Sequence, residues 1–145
     1  EAPGLREDEL KRPFVGRSGQ LLDKLISEIG WKRADVYITN IVKRRPPDNR
    51  DPSPEEIASY KPYLARQIEI IKPKVVATLG RFSMQYIMNR YGLASELAPI
   101  SDLHGKVFST PKFKIVPLYH PAVAIYNQNT KATLLKDFKV LKTLI

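Results

Sequence analysis

Lys74-Val75-Val76-Ala77-Thr78-Leu79-Gly80-Arg81-Phe82-Ser83-Met84-Gln85-Tyr86-Ile87-Met88 is the stretch from which the fold can be read. A β-branched, apolar run of strand length stops at Gly80, and helical spacing then takes over with Phe82, Tyr86, Ile87 and Met88. A strand turned by glycine into a helix predicts a right-handed parallel crossover, and so a sheet with helices packed against it.

Working outward, Ser53-Pro54-Glu55-Glu56 predicts a helix start, with a hydroxyl cap, a proline in the first turn and Glu56 completing a capping box. Ile57, Leu64, Ile68 and Ile71 mark its buried side, and Pro73 ends it. Asp35-Val36-Tyr37-Ile38-Thr39-Asn40-Ile41-Val42 predicts a buried strand. Before it, Leu21, Leu22, Leu25, Ile26 and Ile29 predict a helix from Gln20 that closes at Gly30. Downstream the pattern weakens between Leu93 and Pro111, with a turn at Ser101-Asp102-Leu103-His104-Gly105. A short strand over 106–109 is expected to pair with 114–119 across Thr110-Pro111-Lys112-Phe113. Thr130 is expected to cap a last helix whose Leu134, Leu135, Phe138, Leu141 and Ile145 face inward. This order predicts one α/β domain over residues 1–145, a three-layer α/β/α sandwich around a mainly parallel sheet.

Composition narrows the chemistry. With 145 residues, 43% of them hydrophobic, the chain can bury a core. Lys and Arg number 24 against 15 Asp and Glu, a formal charge of +9 that favours a polyanionic partner such as nucleic acid, or else a basic solvated surface. The absence of cysteine excludes thiol nucleophiles, disulfides and thiolate-held metals within this sequence. No run approaches the roughly 20 apolar residues of a membrane span, and no signal-peptide layout opens the chain; no membrane association and a cytoplasmic setting are expected.

Three places carry polar residues where ligands bind in α/β folds. The opening segment joins Glu1-Ala2-Pro3-Gly4 to Arg12-Pro13-Phe14-Val15-Gly16-Arg17-Ser18-Gly19, a loop of three glycines, two prolines and one aromatic ring feeding a helix. Asn40 sits toward the end of the 35–42 run, free either to meet a ligand or to satisfy loop backbone. His120 follows the last strand directly, whereas His104, beside a turn glycine, reads as structural. Between them, Lys43-Arg44-Arg45-Pro46-Pro47-Asp48-Asn49-Arg50 puts four cations in eight residues. It is either a phosphate-contacting loop or a solvated one.

Taken together these motifs resemble the uracil-DNA glycosylase superfamily, most closely its type-4 branch, over nearly the whole chain. Glu1-Ala2-Pro3-Gly4, the Phe14 segment, Tyr37-Ile38-Thr39-Asn40, Arg45-Pro46-Pro47-Asp48, Leu79-Gly80-Arg81-Phe82 and Tyr119-His120-Pro121-Ala122 follow in the family's order. The resemblance implies a monofunctional DNA-repair hydrolase, a monomer, that flips uracil out of DNA and leaves an abasic site, nucleoid-associated in a prokaryotic cytoplasm. It implies that Phe14 stacks on the base, that Asn40 reads it, and that His120 stabilises charge on its O2. Glu1, Ala2 and Pro3 would line the pocket, with Glu7 near the C5 edge. Either Glu1 orients water, or the bond breaks largely before water attacks. Arg17, Arg45 and Arg50 would meet DNA, with Ile125 and Tyr126 as the wedge.

The resemblance also implies a four-iron, four-sulfur cluster, two of whose cysteine positions match Arg44 and Tyr60. Such a cluster cannot be held by a sequence without cysteine, and no cofactor is expected. The family's first strand is expected before Glu1, in the middle of the sheet. A silent DNA-binding relative, or a glycosylase for hypoxanthine or xanthine, is the alternative.

Overall fold

The computed structural model describes residues 1–145, the side chain of Asn49 excepted. The opening loop holds a short helix that spacing did not predict, α1 (Leu5–Leu10), followed by α2 (Arg17–Glu28) with Gly16 at its N-cap. α2 therefore starts before the expected Gln20, and Gly19 lies inside its first turns. The reason is close approach: a Cβ at Gly19 would sit 2.0 Å from the Phe14 carbonyl oxygen, so glycine here admits a neighbouring backbone and does not turn the chain.

The predicted strand at 35–42 does not form. A 3-10 turn occupies Arg33–Asp35, the following residues join no ladder, and Tyr37 is exposed. β-branched composition makes a run compatible with a sheet, but a strand needs a hydrogen-bonded neighbour. The nearest candidate edge instead shares with this run an apolar cavity of about 480 Å³. Ile41 and Val42 are nevertheless buried, and the Val42 amide donates to the Glu1 carbonyl (2.8 Å), tying the chain's first residue to this segment.

α3 (Pro54–Ile71) begins as expected, with Ser53 Oγ accepting the Glu56 amide at 3.2 Å. Leu64 is buried on it, but Ile71, expected inside, is 44% exposed at the helix's last turn. β1 (Val75–Leu79) and α4 (Arg81–Arg90) flank Gly80, whose φ of 91° suits only glycine. A four-residue helix α5 (Ile100–Leu103) precedes β2 (Phe108–Ser109) and β3 (Lys114–Leu118), joined by a turn in which Thr110 Oγ1 accepts the amides of Lys112 and Phe113. The last helix, α6 (Gln128–Thr143), is capped by Asn127, whose Oδ1 accepts the Thr130 amide at 3.0 Å. Thr130 is thus the receiver of the cap and not the cap. Ile145 lies beyond the helix and is exposed, while Leu134, Phe138 and Leu141 are buried as expected.

The sheet is small and mixed, in the order β1-β3-β2. β1 and β3 run parallel from Val75↔Lys114 to Leu79↔Leu118, and β2 pairs antiparallel with β3 in the expected hairpin. Side chains alternate between faces along a strand. Val116 and Leu118 pack with Leu22, Ile26, Leu134 and Phe138 from α2 and α6, and Ile115 packs with Leu64, Met84, Ile87 and Met88 from α3 and α4. Helices therefore flank the sheet on both faces. Because the parallel pair ends in register, Gly80 and His120 emerge side by side, with only 3.2 Å between His120 Cβ and an imagined Cβ on Gly80.

Candidate active site

His120 leaves β3 and caps a 3-10 turn (Pro121–Ala124) by accepting the Ala122 amide at Nδ1, 3.0 Å away. An accepting Nδ1 carries no proton, so in the neutral ring the proton is assigned to Nε2. Burial pushes the imidazole pKa down to about 4, which keeps it neutral at neutral pH. Beside it lies the Phe14 ring, stacked at 5.7 Å between centroids and 28° between planes. Phe14 is buried and has a φ of 53°, a left-handed conformation uncommon for a residue with a side chain.

Asn40 is 9% exposed. Its backbone carbonyl accepts the Lys43 ammonium at 2.6 Å, and among the described residues nothing pairs its carboxamide. Lys43 also bonds Thr39 Oγ1 (2.6 Å) and Gln67 Oε1 on α3 (3.1 Å), so the loop is held by packing and hydrogen bonds; burial pushes this lysine's pKa down to about 8. Glu7 Oε1 accepts the amides of Val15 (3.0 Å) and Gly16 (2.8 Å). Burial pushes its pKa up, but these amides outweigh it and hold the carboxyl below its usual range. Burial raises the Glu1 carboxyl pKa, and Asp51 adds to the rise against the opposing pull of Arg81.

Glu1, Ala2, Pro3, Glu7, Phe14, Asn40 and His120, all named from the sequence for the base pocket, line one cavity of about 340 Å³. Gly4, Ser18, Pro46 and Arg50 complete its walls. Arg33, whose guanidinium reaches the Phe14 carbonyl, escaped the sequence reading because it lay in a charged cluster without periodicity, and Lys43, read there only as a loop cation, turns inward to Asn40.

The residues named for DNA contact are less uniform. Arg50 borders the cavity but is ion-paired with Glu56 and donates to the Asp51 carbonyl (3.0 Å). Arg17 donates to the Tyr126 hydroxyl, and Arg45 is half-buried outside the cavity wall. In the loop after His120, Tyr126 (83%) and Val123 (53%) project into solvent, while Ile125 is half-buried. His104 Nδ1 pairs with buried Asp137 Oδ2 at 2.7 Å, away from the cavity. Arg44 is exposed and the Tyr60 ring lies 6.3 Å from that of Tyr63, so neither supplies a thiolate and the chain's residues do not fit an iron-sulfur cluster.

A family model described as the uracil DNA glycosylase superfamily matches residues 1–142. The chain belongs to that superfamily. Its similarity is to the type-4 branch: it is 47% identical to a type-4 uracil-DNA glycosylase of Sulfurisphaera tokodaii over 150 aligned positions, covering 99% of this chain and 67% of that protein. The type-4 enzyme of Archaeoglobus fulgidus is 46% identical (96% and 71% covered), and that of Thermotoga maritima 39% (100% and 74%). The chain thus spans about two thirds to three quarters of the length of these glycosylases. Among the described residues no helix is long and apolar enough to cross a membrane.

Proposed function

We propose that this chain is a monofunctional uracil-DNA glycosylase that hydrolyses the N-glycosidic bond of a uracil flipped out of DNA. The observation that carries the reading is that the Asn40 carboxamide, unpaired among the described residues, and the Nε2–H of His120 border the same cavity as the Phe14 ring. Everting a base costs a few kcal/mol of stacking, which Phe14 partly returns. Uracil offers a donor at N3 and an acceptor at O4, matched by the carboxamide's oxygen and nitrogen. Cytosine presents the reverse pattern and leaves buried polar groups unpaired, a penalty of about 1–3 kcal/mol each.

As the C1′–N1 bond breaks, its electron pair moves onto the base, largely to O2, and the sugar becomes cation-like. The Nε2–H donor stabilises that oxygen as its charge develops. Water, oriented by Glu1 at the cavity wall, then adds at C1′ and gives up a proton to solvent, from which the departing uracil anion takes one to leave as the neutral base. Glu7, whose Oε1 is engaged by two amides, acts in this reading chiefly on the Phe14 loop and less on the C5 edge of the base. Tyr126 and Val123 are better placed than Ile125 to wedge into the duplex.

The test is incubation with uracil-containing single- and double-stranded oligonucleotides followed by alkaline cleavage of abasic sites. Strand scission only at uracil supports the reading, and scission only at hypoxanthine or xanthine would replace uracil as substrate. The absence of cysteine at the cluster positions, together with the formal charge of +9, favours one rival, a silent DNA-binding relative. Salt-sensitive binding without scission at any protein concentration would establish that rival.

A further inference from the structure

We infer that Arg33 is a positioning residue for uracil excision, acting through Phe14. The inference rests on the function proposed above. Arg33 stands in the 3-10 turn after α2, and its guanidinium donates from Nη1 to the Phe14 carbonyl (2.7 Å) and from Nη2 to the Pro13 carbonyl. Asp23, on α2, holds Nη1 from the other side at 3.0 Å. The Arg33 side chain is only 25% exposed, so these bonds form largely out of water.

What they hold is a backbone that would not hold itself. Phe14 sits at a φ of 53°, where a Cβ crowds its own carbonyl, and such a residue persists only when its surroundings over-determine it. The peptide groups before and after Phe14 are fixed by Arg33, and the two amides that follow are fixed by Glu7. The left-handed twist lays the ring on His120, so Arg33 sets the surface on which an everted base would rest without touching the base. A planar fork can reach two successive carbonyls where a lysine's point charge satisfies one at a time.

The test compares Arg33→Ala, Arg33→Lys, Phe14→Ala and the Arg33→Ala/Phe14→Ala double variant by single-turnover uracil release, DNA affinity, and the NMR shifts of the His120 ring protons, which feel the Phe14 ring current. Arg33→Ala should slow release by about tenfold or more, with DNA affinity within about twofold of the parent. The double variant should be no slower than Phe14→Ala alone, and Arg33→Lys should recover part of the loss. In Arg33→Ala the His120 resonances should move toward their positions in Phe14→Ala. Multiplying losses in the double variant, or His120 resonances unmoved by loss of Arg33, would overturn the assignment. Should Arg33→Ala fail to fold, Asp23→Asn, which frees the guanidinium without deleting it, faces the same criteria. If the parent chain releases no uracil, the enzymatic reading fails by itself, and the His120 shifts still decide whether Arg33 governs Phe14.

Discussion

A neutral imidazole with one nitrogen occupied by a main-chain amide has its proton placed for it. His120→Ala should therefore lower single-turnover uracil release by about 100- to 1000-fold while leaving DNA affinity nearly unchanged; equal losses in both would contradict its role. The same ring makes stability depend on pH. Its pKa is 6.5 in an unfolded chain and about 4 in the folded one, so between those values the unfolded state binds the extra proton. Stability should fall as pH drops from 6.5 to 4 and become insensitive to this group below that. Urea melts of His120→Gln across that window should lose the corresponding part of the slope. Asn40→Asp offers the test of base choice: a carboxylate accepts from cytosine's exocyclic amine, so cytosine release should appear, and its complete absence would count against Asn40 as the reader.

At the scale of elements, α2 and β1 each carry a prediction. Gly19→Ala forces a Cβ to within 2.0 Å of the Phe14 carbonyl oxygen, and should destabilise the protein by about 1–3 kcal/mol in urea denaturation while disturbing the aromatic platform. Thr78, on β1, is 2% exposed with a hydroxyl that has no partner among the described residues, so Thr78→Val should raise stability by up to about 1 kcal/mol. The sequence was most legible where local rules act alone: the Ser53 cap, the break at Gly80, the buried stripe of α6. It misled where two local signals compete or a distant partner decides. Asn127 and Thr130 are both good caps, and only the chain's path makes Asn127 the acceptor. The 35–42 run has the composition of a strand, but no ladder forms against a cavity. Likewise, nothing in the letters around Glu7 tells that Val15 and Gly16 claim its carboxylate, whereas Phe14, Asn40 and His120 were findable because each lies in a short motif at a loop or strand end.

For the whole molecule, the formal charge of +9 sets how it meets a polyanion. Not all of that charge is free for phosphates, since Arg50 is paired with Glu56 and Arg33 with Asp23. The logarithm of its affinity for DNA should still fall linearly with the logarithm of salt concentration, with a slope that counts the phosphates neutralised. The protonation of His120 gives this a corollary. A donor that is a dipole and not an ion owes little to the ionic atmosphere, so brine that strips the protein from its polymer should leave the bond-breaking event, once saturated, close to its dilute-buffer speed. Grip and chemistry would then answer to different solutes.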